Sequence, residues 1–224
     1  MGSKYVVALS SSPRRKGNSR ILAEAVLEGA AEAGHRTELV HLADHVTGLL
    51  RNCRECRKPD GTCSIGDGFD DVFFNKMLKA DGLVVATPIW WYGMSAHLKN
   101  FFDRMFCYFA ASYPQSAEVV HAQIYRKHLA IVLSAEENNL SARLGALTSL
   151  LELSRYLHWT MTGVVTGIGN TTGEASNDPL NPLAEARALG RRMFDVVETD
   201  YKGDTPRSPR VWADDNRSLP TSWR

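Results

Sequence analysis

The chain has 224 residues, of which 44% are apolar, 9% aromatic and 23% charged, enough apolar mass for one large α/β domain or two small ones. Its 26 basic and 25 acidic side chains leave a net charge of +1, which argues against a nucleic-acid binder with a basic face and against a strongly acidic electron carrier. Unbroken apolar runs such as Leu83–Ala86 fall far short of the ~20 residues that cross a bilayer. The apolar stretch after Met1 is too short for a signal peptide, and Val6 breaks a myristoylation motif. With only four cysteines, a disulfide scaffold is excluded, and a soluble cytoplasmic protein is expected, with no membrane or nucleic-acid partner.

Apolar runs and amphipathic stretches alternate from the N-terminus onward. A first strand is predicted over Tyr5–Ser10 and a helix over Ser19–Gly34, in which Ile21, Leu22, Ala25, Val26 and Ala30 recur every three or four residues and Gly34 is a natural stop. Then follow a strand over Thr37–Leu42, a helix over Asp70–Ala80 and a strand over Gly82–Thr87. A helix over Ser95–Phe106, a strand over Leu129–Ser134, a helix over Leu140–His158, a strand over Gly163–Gly167 and a helix over Leu183–Thr199 complete the series. The runs VVAL, LVVA and LAIVL show little polar alternation, as strands covered on both faces do. The pattern predicts a doubly wound α/β domain over residues 1–200, with five parallel strands, helices on both faces and ligands beyond the strand C-termini. Residues 201–224 differ, with three prolines and no periodicity: they read either as a disordered tail or, through Trp212 and Trp223, as a segment docked on the domain or a partner, and the sequence does not choose.

The first strand runs into Ser10-Ser11-Ser12-Pro13-Arg14-Arg15-Lys16-Gly17-Asn18-Ser19, directly before a helix. Hydroxyls, an amide, cations and free helix-start N–H groups converge there, the donor set a phosphate needs at the first strand-to-helix turn of an open α/β sheet. The glycine pattern is neither that of a Walker A loop nor GxGxxG. After the third strand comes Thr87-Pro88-Ile89-Trp90-Trp91-Tyr92-Gly93-Met94-Ser95, then a helix. Three adjacent aromatics cannot all point inward, so at least one faces a surface or cleft where a flat heterocycle can stack, and Gly93 permits close backbone approach.

Together the two segments resemble the NAD(P)H-dependent FMN reductase family of flavodoxin-like flavoproteins. SSSPRRKGNSR is similar to that family's G-S-P-R-x-x-G-N-[ST] loop, with Ser11 at the usual glycine position. PIWWYGMSAHLKNFFDR is similar to its P-[LIV]-[YW]-W block. The resemblance spans about residues 4–199 and implies a flavodoxin-like sheet of strand order 2-1-3-4-5. It also implies an FMN phosphate held by Ser10, Ser12, Arg14, Asn18 and Ser19. The isoalloxazine would contact Pro88, Ile89, Trp90, Trp91, Tyr92, Gly93 and Met94, with Ser134 at its far side. NADPH or NADH would deliver hydride to FMN, which would pass electrons to a small-molecule acceptor such as free flavin, a quinone or another aromatic. No side-chain acid or nucleophile is required, because the cofactor carries the chemistry. A homodimer or homotetramer with FMN at the subunit boundary is likewise implied. Arg15 and Lys16 read as a solvated charge run, or as contacts for an NADPH 2′-phosphate.

The cysteines carry the rival reading. An iron–sulfur branch of the family has four thiols near Cys53, Cys56 and Cys63, but Pro59 stands at the third position, and a [4Fe–4S] cluster normally takes four thiolates. Zinc could recruit His41 or His45, which lie at a strand end and not on one helical face. The expectation is no metal, with an iron–sulfur or flavodoxin-type electron-transfer flavoprotein as the alternative. Segment 134–139 could edge the flavin's far side; segment 167–174 is GxGxxxG and not a dinucleotide fingerprint, and it resembles a glycine-rich loop common in the family. Segment 108–126 is long for a connection and could form a lid or a partner's wall.

Overall fold

A computed structural model describes residues 2–51, 58, 63–108 and 123–196. Cys53, Cys56, Pro59, most of segment 108–126 and the tail 201–224 lie outside the described residues. The elements are β1 (Tyr5–Ser10), α1 (Asn18–Glu32), β2 (Arg36–His41), a single turn α2 (Leu42–His45), α3 (Asp71–Met77), β3 (Gly82–Trp90), β4 (Gly93–Met94), α4 (Ala96–Met105), β5 (His128–Ala135), α5 (Leu140–Tyr156), β6 (Thr160–Ile168) and α6 (Pro182–Arg191). The main strands are all parallel, in the order β2-β1-β3-β5-β6, the flavodoxin-like order.

Alternate residues of each strand enter different cores. Val7, Leu9, Leu83, Val85, Ile131 and Leu133 pack under α3, α4 and α5 with Phe69, Phe73, Leu98, Phe101 and Leu150. Val6, Ala8, Val84, Ala86, Ala130 and Val132 pack on the other face against Leu22, Val26 and Ala30 of α1 and Ala186 and Leu189 of α6. That division explains why the strand sequences are apolar without alternation.

α1 is rich in strong helix formers, yet it holds Gly29 near its C-terminal end. A Cβ there would lie 1.9 Å from the Arg187 carbonyl oxygen, and one on Gly190 of α6 would lie 1.9 Å from that of Val26. The two backbones touch at these glycines. Arg191 of α6 adds an ion pair to Glu32 at 2.6 Å.

Three expectations need correction. The third strand does not stop at Thr87: it continues through Trp90 and folds back as an antiparallel hairpin, Ile89 opposite Met94 and Trp90 opposite Gly93, so the sheet has six strands. The helix foreseen over 70–80 is a short π-helical stretch, with Leu78 N–H bonding five residues back to Phe73 O at 2.9 Å. The last helix ends at Arg191, short of 199. Met193 is buried at the start of β3, 2.8 Å from where a Gly82 Cβ would be, and Phe194 packs edge-on to His35 and His128 at 4.9 Å. Beyond the helix the chain thus buries Met193 and partly buries Phe194.

Candidate functional site

At the C-terminal edge of the sheet the two motif loops are joined by hydrogen bonds. Ser11 crosses from β1 to β3: its N–H and its Oγ both donate to Ala86 O at 2.9 Å. Ser95 caps α4 by accepting from Leu98 N–H, and its Oγ donates to Ser11 O at 3.2 Å. The Ser95 N–H donates to Thr87 Oγ1 at 2.9 Å. All of these groups are buried, so the joint is worth far more than a surface contact, because breaking it leaves unpaired polar atoms out of reach of water.

Above this joint the first loop is tight. Ser12 Oγ accepts from Arg14 N–H at 3.2 Å, and Gly17 N–H donates to Arg14 O at 3.0 Å. A Cβ on Gly17 would fall 2.7 Å from Ser12 Oγ and 3.1 Å from Arg14 O, so a side chain there would crowd the loop. Gly17 also brings no capping side chain to α1. The first N–H groups of α1 therefore face the loop with no side-chain oxygen serving them, at the positive end of the helix dipole. Space that a side chain would fill, a bare helix start and an exposed guanidinium on Arg14 together suit a phosphate.

The β3–β4 hairpin forms the opposite wall. Trp91 and Tyr92 at its tip are both left-handed, at φ 47° and 62°, in a two-residue turn that ordinarily takes Asn-Gly. Two bulky aromatics so placed store strain of roughly 1–3 kcal/mol each. Trp91 is 96% exposed. The tip rests on α5, where a Cβ on Gly145 would lie 2.6 Å from Tyr92 O.

The remaining walls follow β5 and β6. One cleft, of about 130 Å3, is lined by Ser12, Arg14, Gly17, Asn18, Pro88, Ile89, Trp90, Ser134, Ala135, Glu136, Gly169 and Asn170. A second, of about 160 Å3, shares Ile89, Ala135 and Glu136 with it and adds Trp91, Tyr92, Glu137 and Ala142. Asn170 Nδ2 donates to Glu136 Oε1 at 3.1 Å across the top. Backbone N–H groups of Thr171 and Asn170 hold the Glu174 carboxyl below its usual range and fix the β6 loop.

Ser12, Arg14, Asn18, Pro88, Ile89, Trp90 and Ser134, all foreseen as site residues, thus line the first cleft, and Trp91 and Tyr92 the second. Asn18 has a further task that its spacing could not show. Its Nδ2 donates to Gly169 O at 3.0 Å and Thr171 O at 2.9 Å, and its Oδ1 accepts from Ala175 N–H at 3.2 Å, tying the β6 loop to the first loop. Ser10 and Ser19 do not line the cleft; their buried hydroxyls lie beneath it with no hydrogen-bond partner. Gly93 belongs to the hairpin, and Met94 lines a groove with Leu50, Phe102 and Phe106 instead. Arg15 is paired with Asp44 at 2.8 Å. Gly17, Gly169 and Asn170 were not expected at the site, whereas Ala135 and Glu136 fall in segment 134–139, expected at the flavin's far side but not named individually. The only sequence signals for the last four were a polar loop and an imperfect glycine pattern.

Cys63 lines neither cleft and lies buried beside an ion pair. Arg104, only 1% exposed, forms a two-pronged pair with Asp67, both contacts 2.6 Å, and donates to Gly48 O at 3.0 Å and Cys63 Sγ at 3.4 Å. Burial alone would raise the Asp67 pKa. The Arg104 hydrogen bonds and the N–H groups of Gly48 and Phe69 outweigh it and hold the carboxyl at about 2. Among the described residues, no group of three or more His, Cys, Asp or Glu is placed to hold a metal ion, and no helix is long and apolar enough to cross a membrane.

With the two loops joined on one edge, the resemblance can be tested against known proteins. A family model described as NADPH-dependent FMN reductase matches residues 5–169. The chain belongs to this FMN reductase family. An iron-sulfur flavoprotein of Methanocaldococcus jannaschii is 30% identical over 205 residues, covering 86% of this chain and 97% of its own. A putative NAD(P)H-dependent FMN-containing oxidoreductase of Bacillus subtilis is 24% identical, covering 83% of this chain and 97% of its own. The solved NAD(P)H:quinone oxidoreductase from Methanothermobacter marburgensis superposes with a TM-score of 0.58 at 22% identity, over 88% of this chain and 100% of that one. That likeness establishes the fold. The FMN reductase family membership supports flavin binding and oxidoreductase chemistry.

Proposed function

We propose that the protein is an FMN-dependent oxidoreductase that takes hydride from NADPH or NADH and passes electrons to a small aromatic acceptor such as free flavin or a quinone. The observation that carries this reading is the Ser11–Ala86–Ser95 joint, which sets a phosphate-suited loop and an aromatic hairpin on the same edge. Bound FMN supplies reversible hydride acceptance. The chain's own residues bind and orient. Arg14, Ser12 Oγ and the start of α1 hold the phosphate, Asn18 keeps the β6 wall in register with them, and the hairpin offers backbone and aromatic surface to the ring. Glu136 and Glu137 form an acidic lip beside Trp91 and Tyr92, a surround that favours neutral or cationic acceptors over anionic ones. The direct test is the absorbance spectrum of the purified protein, followed by NADPH consumption with an acceptor and no added reductase. A colourless protein that regains no flavin from free FMN overturns the reading.

Two variants examine the assignments. Arg14→Ala is expected to weaken FMN retention by roughly 1–3 kcal/mol, the range for a hydrogen bond to a charged group; the bound flavin fraction after dialysis measures it. Trp91→Ala is expected to change the flavin spectrum or potential while leaving the melting temperature nearly unchanged, since the side chain is almost wholly in solvent. A large loss of melting temperature with an unaltered flavin would assign Trp91 to packing.

A homodimer also fits. Leu140, Leu144 and Leu151 are exposed on one side of α5, the helix on which the aromatic hairpin rests, and a second copy would cover both. Light scattering of wild type and Leu144→Glu reads this directly. The iron–sulfur reading, favoured by the names of several relatives, meets an incomplete ligand set: Cys53, Cys56 and Cys63, with Pro59 where a fourth thiol would stand. Iron and sulfide analysis of anaerobically purified protein decides between them.

A further inference from the structure

A further cleft bordered by described residues lies at the opposite edge of the sheet from the flavin loops. It measures about 640 Å3 and is lined by residues that precede or begin three parallel strands: Lys4 before β1, Asp81 before β3, and Arg126, Lys127 and His128 at β5. Lys79, Tyr125 and Phe194 complete its walls. The volume falls within the range of small-molecule sites.

The charge is one-sided. Among the described lining residues, Lys4, Lys79, Arg126 and Lys127 face a single carboxylate, Asp81, which is already occupied. Its Oδ2 accepts from Tyr5 N–H at 2.8 Å and its Oδ1 lies 3.7 Å from Lys4 Nζ. Lys127 is only 4% exposed. Its Nζ donates to Leu78 O at 2.9 Å and Ala80 O at 2.6 Å. Those carbonyls end the α3 segment, so one reading of Lys127 is a helix C-cap. That reading does not account for the neighbouring cations or for the backbone. Arg126 is left-handed at φ 61°, and so is His158 at φ 53°, whose carbonyl accepts the Arg126 N–H at 3.2 Å. His158 is the left-handed residue that ends α5, with Trp159 N–H returning to Ser154 O at 2.9 Å; the strained backbone of Arg126 lies in the cleft wall. Burial pushes the Lys127 ammonium down to about 8, with Asp81 pulling the other way. An anion in the cleft would raise it again.

We propose that this cleft is a second ligand site, for a phosphate-bearing molecule with an aromatic ring, such as a nucleoside phosphate. Arg126 and Lys79 at the exposed rim and Lys127 at the floor meet the phosphate, and Tyr125 and Phe194 flank the ring. The site is separate from the flavin edge, and the inference does not depend on the flavin reading.

The experiment is calorimetric titration of the full-length, flavin-loaded protein with ADP, inorganic pyrophosphate and adenosine, repeated on Arg126→Gly, Lys79→Ala and Arg14→Ala. Arg126→Gly suits the left-handed backbone and so removes the charge without disturbing the turn. Saturable binding of one ADP per chain is expected, weakened about tenfold or more by Arg126→Gly and by Lys79→Ala, as for one lost charge-assisted hydrogen bond. Flavin content should not change in those two variants, and Arg14→Ala should leave ADP binding intact. Pyrophosphate should bind more weakly than ADP, and adenosine weaker still. The inference is overturned if no ADP binding saturates below about 5 mM, if both rim variants bind as wild type does, if adenosine binds as well as ADP, or if Arg14→Ala abolishes the binding.

Discussion

Gly190→Ala should lower the melting temperature by several degrees, and Gly29→Ala should do the same. Alanine favours an isolated helix over glycine by about 1 kcal/mol, so the ordinary expectation is stabilisation. Here the new Cβ would overlap a carbonyl oxygen of the facing helix at 1.9 Å. That oxygen belongs to rigid backbone, so α1 and α6 must separate, and overpacking of this kind costs typically 1–3 kcal/mol or more. A net loss of about 2 kcal/mol corresponds to roughly 4–8 °C in a chain of this size. The site should respond as well. α1 carries Gly17 and Asn18 at its start, and displacing it loosens the β6 loop that Asn18 holds, so flavin retention should fall with stability. Thermal unfolding of the two variants, each with its flavin content, checks both effects. A rise in melting temperature would mean that the helices do not touch at these residues.

Removing one member of the buried Arg104–Asp67 pair should cost about 3–5 kcal/mol, because the partner is left charged without compensation. Arg104→Met and Asp67→Asn both test this by chemical denaturation at neutral pH. The pH dependence has a definite sign. The folded Asp67 carboxyl, at about 2, lies below its ordinary 3.8, so its contribution is complete above 3.8 and is lost as pH falls through 2. Its size is about 2 kcal/mol, appropriate because the carboxyl is buried. Asp67→Asn should therefore start less stable at pH 7 and show a shallower acid limb between pH 4 and 2. An unchanged acid limb in that variant would remove Asp67 as its source.

The parts of the molecule legible in the sequence are those governed by local rules. Strands buried on both faces are continuously apolar, and helices show their period, so β1, β3, β5 and the strand order implied by the resemblance were recoverable. Ser12, Arg14 and the aromatic run stood out because donor-rich and aromatic residues cluster at strand ends for few other reasons. What escaped depends on long-range contacts. The hairpin was hidden because Trp91 and Tyr92 are poor turn formers, held in the left-handed region by tertiary context. Asn18 was read as a ligand because its three partners, Gly169, Thr171 and Ala175, lie more than 150 residues away. Lys127 and Asp81 carry no motif at all, and only the folded sheet brings the strand beginnings together.

The left-handed tip of the β3–β4 hairpin has an evolutionary corollary. Asparagine at 91 and glycine at 92 would adopt the same turn without strain, so nothing in folding alone maintains Trp-Tyr there. Descendants of this gene released from redox duty should drift toward Asn-Gly at that pair sooner than they lose Ser11 or Ser95, whose bonds hold the architecture together. A lineage keeping the bulky pair after losing the guanidinium at position 14 would indicate that the tip has some employer other than a flavin.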